Sequence, residues 1–159
     1  IRNCLVGSEM CIRDRLEMAR ERVMELGLAP QVVFVEGDIN SAAVKKKLPK
    51  QADLVTCSYC LTMIPDWKKA LKTMSDLVAP GGNLALIDFV TREGRERSWD
   101  QRLYKWWFAM DGVFFNKEHR KWLLSNEDYK TVYYAEEEGR VPYTPYRPTH
   151  YMFCGEKLA

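Results

Sequence analysis

"ADLVTCSYCLTMIPDWKKALKTMSDLVAPGGNLALIDF", Ala52 to Phe89, decides the fold. Ala52 to Tyr59 opens on an apolar run that reads as a buried strand. Asp66 is a good N-cap for a helix beginning at Trp67. Trp67, Ala70, Leu71, Met74, Leu77 and Val78 recur at helical spacing and give one apolar stripe. Pro80-Gly81-Gly82 stops that helix, and Asn83 to Val90 resumes as a strand, apolar until Asp88. Near-continuous apolar strands separated by a helix predict a parallel sheet covered on both faces.

Upstream, "LEMARERVMELGLAP" predicts a helix with Leu16, Ala19, Val23 and Leu26 on one face and Gly27 as its stop. "QVVFVEGD" reads as another buried strand, ending at Gly37-Asp38. "NSAAVKKKLPK" reads as a short helix with a basic face. Downstream of Val90 the character changes: "TREGRERSWDQR" is charged and "LYKWWFAMDGVFF" aromatic. The tail, "YKTVYYAEEEGRVPYTPYRPTHYMFCGEK", reads as two strands around a Pro-rich turn. The α/β units and this late pair predict a doubly wound, mostly parallel sheet whose last strand inserts antiparallel.

The 159 residues suit one domain with a real core. A net charge of +2 gives no argument for a nucleic-acid partner. No run of eighteen or more apolar residues is present, so no membrane span is predicted. The five cysteines are odd in number and scattered, which favours a reducing compartment over a disulfide scaffold. "IRNCLVGSEMCIRDR" begins without Met, keeps no steady period and lacks a signal-peptide cleavage site. It resembles a peptide produced where a library adapter is read as coding sequence. Residues 1–15 are therefore expected to be a non-native extension, with 16–159 the C-terminal part of one domain.

Ligands of open parallel sheets bind beyond the carboxyl ends of the strands. Asp38, Ser58 with Tyr59, and Asp88 all fall at such ends. Cys57 and Cys60 bracket Ser58-Tyr59, but a redox pair normally opens a helix and a zinc site needs two more ligands. The pair is expected to be two small buried residues flanking a functional Ser-Tyr, with no metal.

The order of these pieces resembles a Rossmann-like S-adenosylmethionine-dependent methyltransferase, through "LEMARERV", "VVFVEGDI" and the Ala52–Phe89 stretch. "WWFAMDGVFFNKEHRKWL" and "VYYAEEEGRVPYTPYRPTHYMFCGEK" look like the methyltransferase part of betaine-lipid synthases, which make diacylglyceryl-trimethylhomoserine. The resemblance implies S-adenosylmethionine as cofactor and three N-methylations of diacylglyceryl-homoserine. It also implies a second activity, fused or separate, that attaches the homoserine group. The donor's glycine-rich loop is absent, since no G-x-G-x-G occurs, and so is the acidic residue that holds the ribose. The chain is expected to carry about half of the donor site and to be inactive alone. Its expected location is intracellular, peripheral at a membrane surface (the endoplasmic reticulum in a eukaryote).

Carried over by position, Asp38 takes the adenine amino group, with Ile39 beside the ring, since a carboxylate suits an amine donor. Ser58 and Tyr59 form the rim between the cofactor's methionine part and the acceptor. Asp88 takes a structural or acceptor-side role, or caps the turn before Thr91. Methyl transfer to an amine needs alignment, a path for the amine's proton, and aromatic faces for the growing cation. Tyr59, Trp106 and Tyr143 are candidate faces. Asp111 and His119 are candidate proton acceptors, His119 being otherwise a solvated residue of "NKEHRK". Residues 91–126 are expected to form a helical insertion facing substrate and membrane, or a core-packing helix over the site mouth. Arg147 is placed to grip the homoserine carboxylate by a two-point contact, or is a surface residue beside a rigid turn. The alternatives are a quinone or small-molecule acceptor, or an inactive binding module.

Overall fold

A computed structural model describes residues 9–90, 102, 106, 108–110, 116, 118–139 and 147–159. The chain divides into two compact units, Ile1–Leu48 and Pro49–Ala159.

The first unit is helix and turn. α1 runs Glu9–Glu25, so it begins earlier than Leu16. Glu9 to Arg15 contain no Gly or Pro, and nothing in them stops a helix. The expected apolar stripe is only half realised: Leu16 and Val23 are half-buried, while Ala19 and Leu26 are exposed. A short 3₁₀ turn, Ala29–Gln31, comes next. The run after it, expected as a buried strand, forms no ladder among the described residues, and Val33 is 85% exposed. Its β-branched composition favours extended backbone, but a strand exists only where a neighbour accepts its hydrogen bonds. α2 is a single turn, Ala42–Lys45, capped by Ser41, whose Oγ accepts the Val44 N–H at 3.2 Å.

The second unit holds the sheet. β1 spans Ala52–Ser58, β2 Val78–Val90, β3 Tyr129–Glu138 and β4 Thr149–Lys157, in the order β1-β2-β4-β3. β1 is parallel to β2, whereas β4 is antiparallel to both of its neighbours, β2 and β3. Three strands therefore run one way, and the last alone is reversed and inserted between β2 and β3. This is the Rossmann-like α/β arrangement expected from the sequence.

β2 reaches back through Pro80-Gly81-Gly82 to Val78. Its register against β1 jumps from Ala52↔Val78 to Leu54↔Asn83. Gly81, at φ +76°, supplies the left-handed residue that this bulge needs. β1 is an edge of the sheet, and Leu54 is 57% exposed, so this strand is half-buried rather than buried.

α3, Trp67–Leu77, packs on β1 and β2 and buries Ala70, Leu71 and Met74 as the stripe predicts. Asp66 stands at its N-cap, but its side chain makes no capping hydrogen bond. The helix ends under Lys157, whose Nζ donates to the carbonyls of Ser75 (2.7 Å) and Val78 (2.9 Å). A cation there satisfies C-terminal carbonyls and opposes the helix dipole. α4, Glu118–Ser125, buries Leu123 and His119. Leu84, Leu86, Tyr151 and Phe153 are the buried apolar residues of β2 and β4. Glu136 to Glu138 stand at the end of β3, and Arg120 of α4 pairs with Glu136 at 2.8 Å. No helix among the described residues is long and apolar enough to cross a membrane.

Candidate active site

β1, β2 and β3 share a direction, so their carboxyl ends lie along one sheet edge, where α/β folds bind ligands. β1 ends at Ser58, which is exposed, and the next residue is unusual. Tyr59 has φ +52°, the one positive φ among described non-glycine residues. A tyrosine there costs on the order of 1–2 kcal/mol and persists only when its surroundings fix it. Its N–H donates to the Ile87 carbonyl at 2.8 Å, and its ring meets that of Phe89 at 4.9 Å between centroids. The ring is nonetheless reachable, with Tyr59 39% exposed. The kink turns the chain back so that the Cys60 Sγ donates to the Ser58 carbonyl at 3.0 Å.

Asp88 fixes this loop from below. It is 1% exposed. Its Oδ2 accepts the Thr62 N–H at 3.0 Å, and its Oδ1 accepts the Thr62 hydroxyl at 2.8 Å and the Phe89 N–H at 2.7 Å. The expected cap of the turn before Thr91 is not what it makes, because β2 continues to Val90. Asp88 instead anchors the 3₁₀ turn Leu61–Met63, just past Tyr59. These bonds make a structural contact that ties this turn to β2.

The register carries this row onward. Phe89 stands opposite His150 on β4, and His150 opposite Glu137 on β3. Directly opposed residues share a face of the sheet. The Tyr59 and His150 rings meet edge-on at 6.4 Å, and Phe108 lies 6.2 Å from Phe89. Aromatic and ionisable groups from four strands and the segment holding Phe108 thus line the carboxyl edge. His150 is no candidate by sequence. "PTHYMF" reads as a strand, and only the sheet order brings it to Tyr59.

The two cysteines take a different form from the buried pair expected. Cys57 is half-buried and Cys60 is exposed, and both are reduced. A hydrogen bond with the Cys60 side chain, and then burial, push the Cys57 thiol far above the usual range. That disfavours the thiolate that redox or metal chemistry requires. No cluster of three or more His, Cys, Asp or Glu suited to a metal occurs among the described residues.

His119 is not the solvated residue its charged neighbours suggest. It is 1% exposed, with its ring against Trp67 at 4.5 Å. Neither ring nitrogen has a hydrogen-bond partner among the described residues. Desolvation lowers its pKa from 6.5 to about 4, against a small opposing effect of Glu118. A proton acceptor must present a nitrogen to its substrate, and this one is sealed in the core. Trp106 is helical and 64% exposed, Met110 is 60% exposed, and Arg147 is exposed. Asp111 and Tyr143 lie outside the described residues, as does most of the 91–126 insertion.

In the first unit, Asp38 closes a tight turn: its Oδ1 accepts the Asn40 N–H at 2.8 Å and its carbonyl the Ser41 N–H at 2.9 Å. Gly37 precedes it at φ +138°, where an added Cβ would lie 2.6 Å from Val44 Cγ2. Glycine suits that position, and the bond from the Asn40 N–H orients the Asp38 carboxylate. Asp38 is exposed and Ile39 half-buried beside it. An exposed, oriented carboxylate next to an aliphatic side chain fits an exocyclic amine on a flat ring.

Comparison with known proteins gives one family. A model described as "Methyltransferase domain" matches residues 2–134. A ubiquinone biosynthesis O-methyltransferase from Photorhabdus laumondii is 31% identical over 86 residues, covering 54% of this chain and 33% of that protein. A demethylmenaquinone methyltransferase from Listeria welshimeri is 29% identical over 113 residues, covering 69% of this chain and 45% of that protein. The chain therefore spans less than half the length of these curated relatives. Among solved structures, an O-methyltransferase family protein from Burkholderia thailandensis superposes with a TM-score of 0.61 at 17% identity, covering 90% of this chain and 41% of that one. That likeness speaks to the fold.

Proposed function

The chain belongs to the methyltransferase-domain family, and from that premise we propose that it serves transfer of methyl groups from S-adenosylmethionine to the amine of a lipid-linked homoserine. When bound, S-adenosylmethionine supplies a methyl group already activated on a sulfonium. Asp38 and Ile39 fit its adenine, through the orientation and exposure of the carboxylate. Ser58 and Tyr59 suit the boundary between donor and acceptor, because they end β1 at the binding edge.

The observation that carries the acceptor class is the aromatic strand end. Tyr59 and Phe89 present rings 4.9 Å apart, and such faces favour an ammonium that gains charge-bearing methyls. The resemblance of the C-terminal half to betaine-lipid synthases narrows this to diacylglyceryl-homoserine. Exposed Trp106 and Met110 on a helical segment suit contact with a membrane surface, where such a lipid resides. Arg147 is the proposed grip for the homoserine carboxylate. A separate or fused activity attaches the homoserine group beforehand.

A second reading is favoured by the relatives, whose names specify ubiquinone biosynthesis and demethylmenaquinone methylation. A quinone precursor is also a lipid, so exposed apolar groups serve either case. The two part at the acceptor atom: an amine passes through cations, a ring carbon or hydroxyl does not. Incubation of the enzyme completed with a glycine-rich donor loop, together with S-adenosylmethionine and vesicles containing diacylglyceryl-homoserine, should give products bearing one, two and three added methyl groups by mass spectrometry. Methylation of a demethylmenaquinone or a ubiquinone precursor instead would overturn the amine reading.

A further inference from the structure

We propose that His150 is the proton acceptor of the methyl-transfer site, and that Tyr59, Phe89 and His150 together form the subsite for the acceptor's ammonium group. This rests on the amine reading. His150 meets three conditions that His119 does not. It lies at the carboxyl edge of the parallel strands, opposite Phe89 in the register. It is half-buried rather than sealed. Its ring stands edge-on to the exposed, strained Tyr59 at 6.4 Å. An ammonium lodged against the Tyr59 and Phe89 faces is therefore a neighbour of the imidazole.

The groups facing His150 are of two kinds. Tyr59 comes from the end of β1, Phe89 from β2, and the Phe108 ring lies 6.2 Å from that of Phe89. β3 contributes Glu137, directly opposite in the register. On its own strand, Thr149 and Tyr151 alternate to the other face, where both are buried. Glu137 is the acidic neighbour in this row, and its carboxylate suits a bound cation.

The step balances simply. The protonated amine gives one proton to an imidazole nitrogen of His150. The freed lone pair forms a bond to the methyl carbon, and the carbon–sulfur bond breaks with its pair going to sulfur. The product is a methylated ammonium and a neutral thioether. The proton leaves His150 to water before the next round. After the third methyl the nitrogen carries no proton, and the trimethylammonium stays as a cation for the rings.

Two measurements separate this proposal from the function it rests on, the first on this chain and the second on the enzyme completed with a glycine-rich donor loop. The chain has two histidines, so ring resonances of isotopically labelled His150 are assigned by their loss in His150→Gln. Titration with tetramethylammonium chloride should shift those resonances to saturation, with His119 unmoved. A shift that merely tracks ionic strength, matched by sodium chloride, overturns the ammonium subsite whatever the enzyme's activity. In methyl transfer to diacylglyceryl-homoserine by the completed enzyme, His150→Gln should lower kcat ~10²–10⁴-fold with little change in KM, and alter the shape of the pH–rate profile. A parent-like kcat and profile in the variant overturn the proton role while leaving the amine reading intact. No turnover of any amine by the completed parent enzyme overturns the amine reading and the proton role together.

Discussion

Asp88→Ala should unfold the protein far more easily, losing about 3–5 kcal/mol by chemical denaturation. The carboxylate is 1% exposed and accepts three donors, two from Thr62 and one from Phe89. Removing it leaves the two buried Thr62 donors without this acceptor, at about 1–3 kcal/mol each. It also releases the turn after Tyr59 from β2. Asp88→Asn keeps one acceptor oxygen but turns an NH₂ toward Thr62 donors, so it should lose less than the alanine variant. A loss below about 1 kcal/mol for Asp88→Ala would contradict the anchoring role.

The second large effect is on acid stability, through His119. Its pKa is about 4 in the fold against 6.5 for the ordinary side chain. The unfolded chain thus takes up a proton at a pH where the folded one does not. The stabilising contribution is whole above the unfolded value and is lost as pH falls from about 7 toward 4. That separation corresponds to roughly 3 kcal/mol. His119→Phe keeps a flat ring against Trp67 and removes two unpartnered nitrogens. Its unfolding free energy should therefore be flatter than the parent's between neutral pH and about pH 4 to 5, and at least equal at neutral pH. An unchanged slope would show that His119 is not the titrating group. Unimpaired catalysis in the same variant is the expected companion, since the ring does not reach the strand edge.

Local pattern carries much of this architecture. The stripe from Trp67 to Val78 marks α3, the apolar run to Val90 marks β2, and the Pro-rich break between two late apolar stretches marks β3 and β4. The reversal of the last strand is legible too. What fails is what depends on a partner. The Val32–Glu36 run has strand composition but no ladder among the described residues, and β1 is half-exposed because it lies at an edge. Asp66 sits where a cap belongs without making the bond. His119 is misread from its charged neighbours, because those charges line the outer face of a helix whose inner face it occupies. His150 is missed for the reverse reason. Its significance comes from Tyr59 and Phe89, far away in sequence, and nothing within "THYMF" marks it.

The most direct measurement of where chemistry occurs is methyl transfer to diacylglyceryl-homoserine by the completed enzyme carrying Tyr59→Gly, made alongside its unfolding curve. Glycine accepts φ +52° without strain, so the variant's stability should stay within about 1 kcal/mol of the parent's. Turnover should nonetheless fall on the order of 100-fold, because the ring that faces Phe89 and positions the acceptor is gone. Equal stability with parental turnover would contradict this placement, and would move the acceptor away from the carboxyl ends of β1 and β2.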